Sequence, residues 1–230
     1  MRQVRSLLLS GAMIALLGAT MSAPAAAAGS GKLTIVQGTP GIKVDICVGR
    51  TEVASKLAYG KYTRETVSAG AKLIRFHKAA PGTCTGAKIT AWARTVVAGS
   101  DTTVALTRFA PRVVAFPDNL TSTPVPPVGW ARVIMRHAAD IGTAGFRYTI
   151  DEGTPWYPEP TVDSPWEKGF WGWGTREDGL RMIWWVHIPP DQTAVAGPVE
   201  LVVEGDTRHE MVVVGTTLGN TKLVRIDTPL

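Results

Sequence analysis

Between Asp151 and Gly179 the sequence reads DEGTPWYPEPTVDSPWEKGFWGWGTREDG, and its residue types and spacing could do chemistry. Trp156, Tyr157, Trp166, Trp171 and Trp173 are interleaved there with the carboxylates of Glu159, Asp163 and Glu167. Flat rings stack on the apolar faces of sugars while carboxylates accept hydrogen bonds from their hydroxyls. These eight side chains are therefore the candidate ligand-binding set. The concentration is high: seven of eight tryptophans lie from Trp130 to Trp185, and ten of 17 aromatic residues lie between Phe146 and Trp185. The alternative is architectural, with the rings filling a second core or a seam between domains. Alternation favours this for Met182, Trp184, Val186 and Ile188, which would share one inward face.

The same carboxylates raise a second chemistry. A glycoside hydrolase sets two acids about 5 to 9 Å apart across a cleft. Acids in an open loop are ordinarily just solvated, and the chain contains no Gly-x-Ser-x-Gly, phosphate-binding loop or dinucleotide motif. The expectation is no catalytic residue and no enzymatic activity. The four histidines add little. His77 and His187 read as structural residues of strands, and His137 stands beside Arg136 and Asp140, where a local hydrogen-bond network would suit it. His209-Glu210 lacks the second histidine that a zinc-protease helix requires. No metal site and no cofactor are expected.

The elements that must position these residues are strands. Leu33 and Ile35 alternate with Lys32, Thr34 and Val36; Val44, Ile46 and Val48 alternate with Lys43, Asp45 and Cys47; Val104 and Leu106 alternate with Thr103, Ala105 and Thr107. Period-two alternation between Gly- and Pro-containing turns argues half-buried strands. With 24 Gly and 16 Pro in 230 residues, many turns and few long helices follow. A hydrophobic fraction of 45% and a net charge of only +5 exclude a disordered chain. The lysines and arginines are dispersed along the sequence, so the positive balance does not call for nucleic acid.

Residues 1–28 have the three parts of a secretory signal: Arg2 and Arg5, an apolar core from Leu7 to Leu17, and the small-residue site Ala26-Ala27-Ala28. Once that segment is cleaved, no membrane span is expected. Export places Cys47 and Cys84 in an oxidising compartment, where an even pair reads as one disulfide. Cys47 has the opposite parity to Val44, Ile46 and Val48, so the bond would pin the Pro81–Gly86 loop on the outer sheet face.

Residues 121–129, TSTPVPPVG, form a Pro-rich linker. The halves on either side correspond. Arg132-Val133-Ile134-Met135 matches Leu33-Thr34-Ile35-Val36, and Val199 to Val203 followed by Glu204-Gly205-Asp206 parallels Arg94 to Val97 followed by Ala98 to Asp101. The predicted organisation is a signal peptide over 1–28, a first domain over 29–120, the linker, and a second domain over 130–230.

Gly38-Thr39-Pro40-Gly41 followed by Val44-Asp45-Ile46, then Leu57-Ala58-Tyr59-Gly60, and the Ala69-Gly70 and Ala98-Gly99 turns, resemble an exported bacterial domain, the domain of unknown function four-three-nine-seven. Ala131 to Ala139 is similar to the opening of the second unit in two-unit members. The second half lacks a counterpart of Leu57 to Gly60. The resemblance implies a sandwich of short strands outside the cell, and it brings no catalytic residues.

The expected protein is all-β: two tandem antiparallel β-sandwiches of immunoglobulin or transthyretin type. It would be secreted or attached to the cell envelope as a non-catalytic module. Its expected partner is a cell-wall glycan or a surface protein, met through the aromatic segment, with no nucleic acid. The alternatives are a glycan hydrolase using the loop carboxylates, and a purely structural adhesion spacer.

Overall fold

The computed structural model describes residues 29–108, 112–118, 126–150, 157–162, 171–188 and 193–230. Residues 1–28, expected as a secretory signal, fall outside these. The described chain is nearly all strand: β1 (Ser30–Gln37), β2 (Val44–Val48), β3 (Thr51–Leu57), β4 (Tyr62–Ser68), β5 (Gly70–Lys78), β6 (Lys88–Val96), β7 (Asp101–Leu106) and β8 (Val113–Asp118) in the first half. The second half holds β9 (Trp130–Ala139), β10 (Ala144–Ile150), β11 (Tyr157–Val162), β12 (Trp171–Glu177), β13 (Arg181–His187), β14 (Ala194–Val202), β15 (Thr207–Gly215) and β16 (Lys222–Pro229). No described helix is long and apolar enough to cross a membrane.

The strands form four sheets of four. In the first half the orders are β4-β1-β7-β8 and β3-β2-β5-β6; in the second they are β12-β9-β15-β16 and β11-β10-β13-β14. Adding eight to each strand number of the first pair yields the second pair. Alternation decides what lies between them. Leu33, Ile35, Val104 and Leu106 point inward with Val44, Ile46, Ile74 and Phe76 to make the first core. Val133, Met135, Met211 and Val213 point to Phe146, Met182 and Trp184 in another.

The opposite faces of the β1 and β9 sheets are not solvated. Val36, Ala105, Val114 and Phe116 from one meet Ala138, Val212, Val214, Val224 and Ile226 from the other. The molecule is thus a stack of four sheets, with the two inner ones buried on both faces. This explains why every residue of β15 is buried, although an amphipathic strand buries only one in two.

The two outer sheets are antiparallel as expected, whereas the two inner ones are mixed. β1 runs parallel to β7, pairing Ile35 with Val104, and β9 runs parallel to β15, pairing Met135 with Met211. Parallel neighbours need a long crossover, and the intervening strands supply it by building the facing sheet. The span 151–174, expected as one long loop, also differs. It contains β11 and the start of β12, which are edge strands of opposite sheets. Pro158 and Pro160 sit in β11 because an edge strand tolerates residues that cannot donate to a ladder.

Candidate functional site

The structure divides the aromatic segment. Trp156, Asp163, Trp166 and Glu167 lie outside the described residues. Tyr157 and Glu159 belong to β11, where Tyr157 pairs in register with Tyr148. Trp171 and Trp173 belong to β12 and pair with Met135 and Val133, two core residues of β9. The segment thus runs from the edge of one sheet of the second sandwich to the edge of the other.

Nearby, part of the aromatic cluster is core. Met182, Trp184 and Val186 are buried on the inward face of β13, as alternation predicts, whereas Ile188 follows the strand and is only half-buried. The Trp184 ring packs on Tyr148 at 4.9 Å between centroids. His137 spends its ring nitrogens on backbone, with Nε2 against the Gly142 carbonyl at 2.7 Å and Nδ1 accepting the Ala139 N–H at 3.2 Å. Its neighbour Arg136 lies along the Phe116 ring and 3.9 Å from Glu210. Among the described residues no cluster of His, Cys, Asp or Glu could hold a metal ion.

Cys47 and Cys84 are bonded. Cys47 faces outward opposite Arg75 in register, yet it is buried beneath the Pro81–Gly86 loop. His77 also faces outward and holds that loop, its Nδ1 lying 2.7 Å from the Gly86 carbonyl.

Dispersed basic residues converge in space at one end of the first sandwich, which linear spacing concealed. Asp45, fully buried, organises that end. Its Oδ1 accepts the Lys56 N–H at 2.8 Å and the Ser55 hydroxyl at 3.5 Å, and its Oδ2 accepts the Ala80 N–H at 3.1 Å. The β2–β3 register slips here, setting Ser55 and Lys56 against Asp45 alone. Such a bulge re-aims a side chain, and Lys56 adopts a left-handed φ of 52° within it. Lys56 therefore joins Lys43 and Lys78 around a cleft of about 380 Å³. A second cleft, about 530 Å³, shares Ile42 and Lys78 with the first and is also lined by Lys88, Arg108 and Arg112.

Charged groups also fill the seam between the inner sheets. Asp101 Oδ2 takes Arg64 Nη2 at 2.6 Å and Arg208 Nη2 at 2.8 Å. Arg208 lies 3.0 Å from Glu210, which accepts the Thr103 hydroxyl at 2.6 Å. Arg64 also donates to Thr228. Where this network meets solvent, Lys32, Arg132, Arg208 and Thr228 border a cavity of about 360 Å³. At the opposite end of the seam the Tyr59 hydroxyl donates to the Val214 carbonyl at 3.2 Å and to that of Asn220. Burial pushes its ionisation up to about 12. On β16, burial raises the Asp227 carboxyl, but hydrogen bonds from His209 and Arg225 outweigh it and hold the group below its ordinary value.

No family model matches the chain, and no curated protein matches it. Among solved structures it is similar to CBMbc, a family 26 carbohydrate-binding module of Eubacterium rectale Amy13K in complex with maltoheptaose. The identity is 11% and the TM-score 0.28, covering 86% of this chain and 97% of that one. It is also similar to a leucine-rich repeat protein from Bacteroides thetaiotaomicron at 10% identity and TM-score 0.22, covering 81% of this chain and 26% of that one. Both likenesses are too distant to carry an argument about function.

Proposed function

We propose that this chain is an exported, non-catalytic module that binds glycan through the aromatic-rich span 151–174. It is built as two copies of one eight-stranded unit of the exported family it resembles. The matching sheet orders of the halves support the duplication. One observation carries the binding role: the richest aromatic stretch of the sequence, with Glu159, Asp163 and Glu167 in it, spans the edge strands of opposite sheets. Aromatic walls with a few polar groups are the ordinary composition of a sugar site.

Titration with neutral and cell-wall polysaccharides, followed by tryptophan emission, tests this. A blue shift that Trp166→Ala abolishes, with the melting temperature unchanged, is the expected result. Silence across a broad glycan panel removes the role. If Trp156→Ala and Trp171→Ala lower the melting temperature and leave binding intact, the rings are architecture. Product release lost in Glu159→Gln or Glu167→Gln establishes a hydrolase instead.

A further inference from the structure

We propose that the basic end of the first sandwich is a separate binding surface for an acidic polysaccharide, a linear glycan bearing carboxylate, sulfate or phosphodiester groups. Three observations converge on it. The first is charge. Residues 29–120 carry 13 Lys and Arg against 5 Asp and Glu, whereas residues 121–230 carry 9 against 14. The excess gathers at the strand ends around the two joined clefts. Lys43, Lys56, Lys78, Lys88, Arg108 and Arg112 are all exposed there. Among the described residues, neither cleft is lined by an acid. Asp45, whose carboxylate accepts the Lys56 and Ala80 N–H groups, is fully buried.

The second is an unspent hydroxyl. Thr39 lines the larger cleft at 8% exposure, and its Oγ1 makes no hydrogen bond within the protein. A buried polar atom left without a partner is costly, and rotation of the Thr39 side chain to another staggered rotamer would turn its hydroxyl into the cleft to meet a ligand hydroxyl. The third is the strained backbone at Lys56. A left-handed lysine is uncommon, and it persists here because Asp45 grips its N–H. The consequence is a third ammonium group beside Lys43 and Lys78.

The shape favours a sugar polymer over other polyanions. Two clefts of about 380 and 530 Å³ that meet at Ile42 and Lys78 form a track for successive rings. Their apolar lining includes Pro40, Ile42 and Ile89, and among the described residues neither cleft has an aromatic platform of the kind single-stranded nucleic acid stacks on. A lipid surface would call for protruding apolar side chains beside the cations, and among the described residues none of the exposed large hydrophobics lines either cleft.

Binding of the full protein to polygalacturonate, dextran sulfate and uncharged dextran, measured by calorimetry over a range of salt, tests the proposal. Single-stranded DNA and anionic phospholipid vesicles are run alongside. The two acidic polymers bind, with affinity falling as salt rises, and dextran does not; which polymer binds tighter assigns the anionic group. The triple variant Lys56→Gln, Lys78→Gln, Arg108→Gln weakens binding by about tenfold or more. Arg50→Gln, Lys72→Gln, Arg94→Gln removes equal charge from the same sandwich away from the clefts and leaves binding within about twofold. Thr39→Val weakens it about fivefold without changing the salt slope. Thermal unfolding confirms that each variant is folded, and Trp166→Ala retains binding, which separates this surface from the aromatic span. Equal losses from both triples, loss in Trp166→Ala, or no binding to either acidic polymer overturns the proposal. So does equal or tighter binding of DNA or vesicles, or a salt-sensitive dimer that the first triple dissolves.

Discussion

Asp101 and Arg208, 107 residues apart, meet at 2.8 Å between the two inner sheets, each side chain almost wholly withdrawn from water. Removing one member of a buried ion pair leaves the other charge stranded. Asp101→Ala therefore costs about 3–5 kcal/mol, read as a lower urea midpoint.

Tyr59 gives the seam an alkaline limit. Its folded ionisation near 12 lies above the ordinary value of 10.0. The neutral phenol therefore adds stability that is fully present below pH 10 and lost as pH rises toward 12. Tyr59→Phe flattens that alkaline loss and costs about 1 kcal/mol at neutral pH from the missing hydrogen bonds. Melting temperatures across the alkaline range read both effects.

Asp227 acts in the other direction. Its folded value lies below the ordinary 3.8. Its contribution is present at neutral pH and disappears as pH falls from that value through the lower folded one. In Asp227→Asn the unfolding midpoint is lower at neutral pH, and it declines less than the wild type between neutrality and about pH 3. Denaturant melts at the two limits check this.

The Cys47–Cys84 bond closes a chain segment with a sequence separation of 37. Chain entropy assigns such a closure about 4 kcal/mol. Cys47→Ser, Cys84→Ser is expected to lower stability by about that amount. It also raises amide exchange over residues 80–87, where the Ala80 and Gly86 contacts hold the loop. Hydrogen exchange followed by mass spectrometry resolves the segment.

The strands with strict apolar alternation were the legible ones. Val44, Ile46 and Val48 alternate with Asp45 and Cys47, and all three apolar residues enter the first core. The same parity put Cys47 outside, where its disulfide partner is found. The inner sheets were harder. Arg132, Arg136, Arg208 and Glu210 look like the solvated side of β9 and β15, but that side meets a second sandwich and is buried. A charged side chain in an alternating strand ordinarily marks water; here it marks a partner of opposite sign, Asp101 on the facing sheet for Arg208 and Glu210 on the neighbouring strand for Arg136. Prolines disguised β11 as loop. The basic end was hidden for another reason. Its residues sit on five different strand ends or turns, adjacent only once the sandwich closes.

The face formed by Val36, Ala105, Val114 and Phe116 has a bearing on how the polypeptide matures. A nascent chain that has completed only β1 to β8 presents those apolar side chains, together with Arg64 and Asp101, to whatever is nearby until β9 and the strands after it are delivered. A product truncated before Trp130 would keep that face permanently open and would stick to its own kind, so premature termination of this protein should yield aggregates rather than a smaller working version.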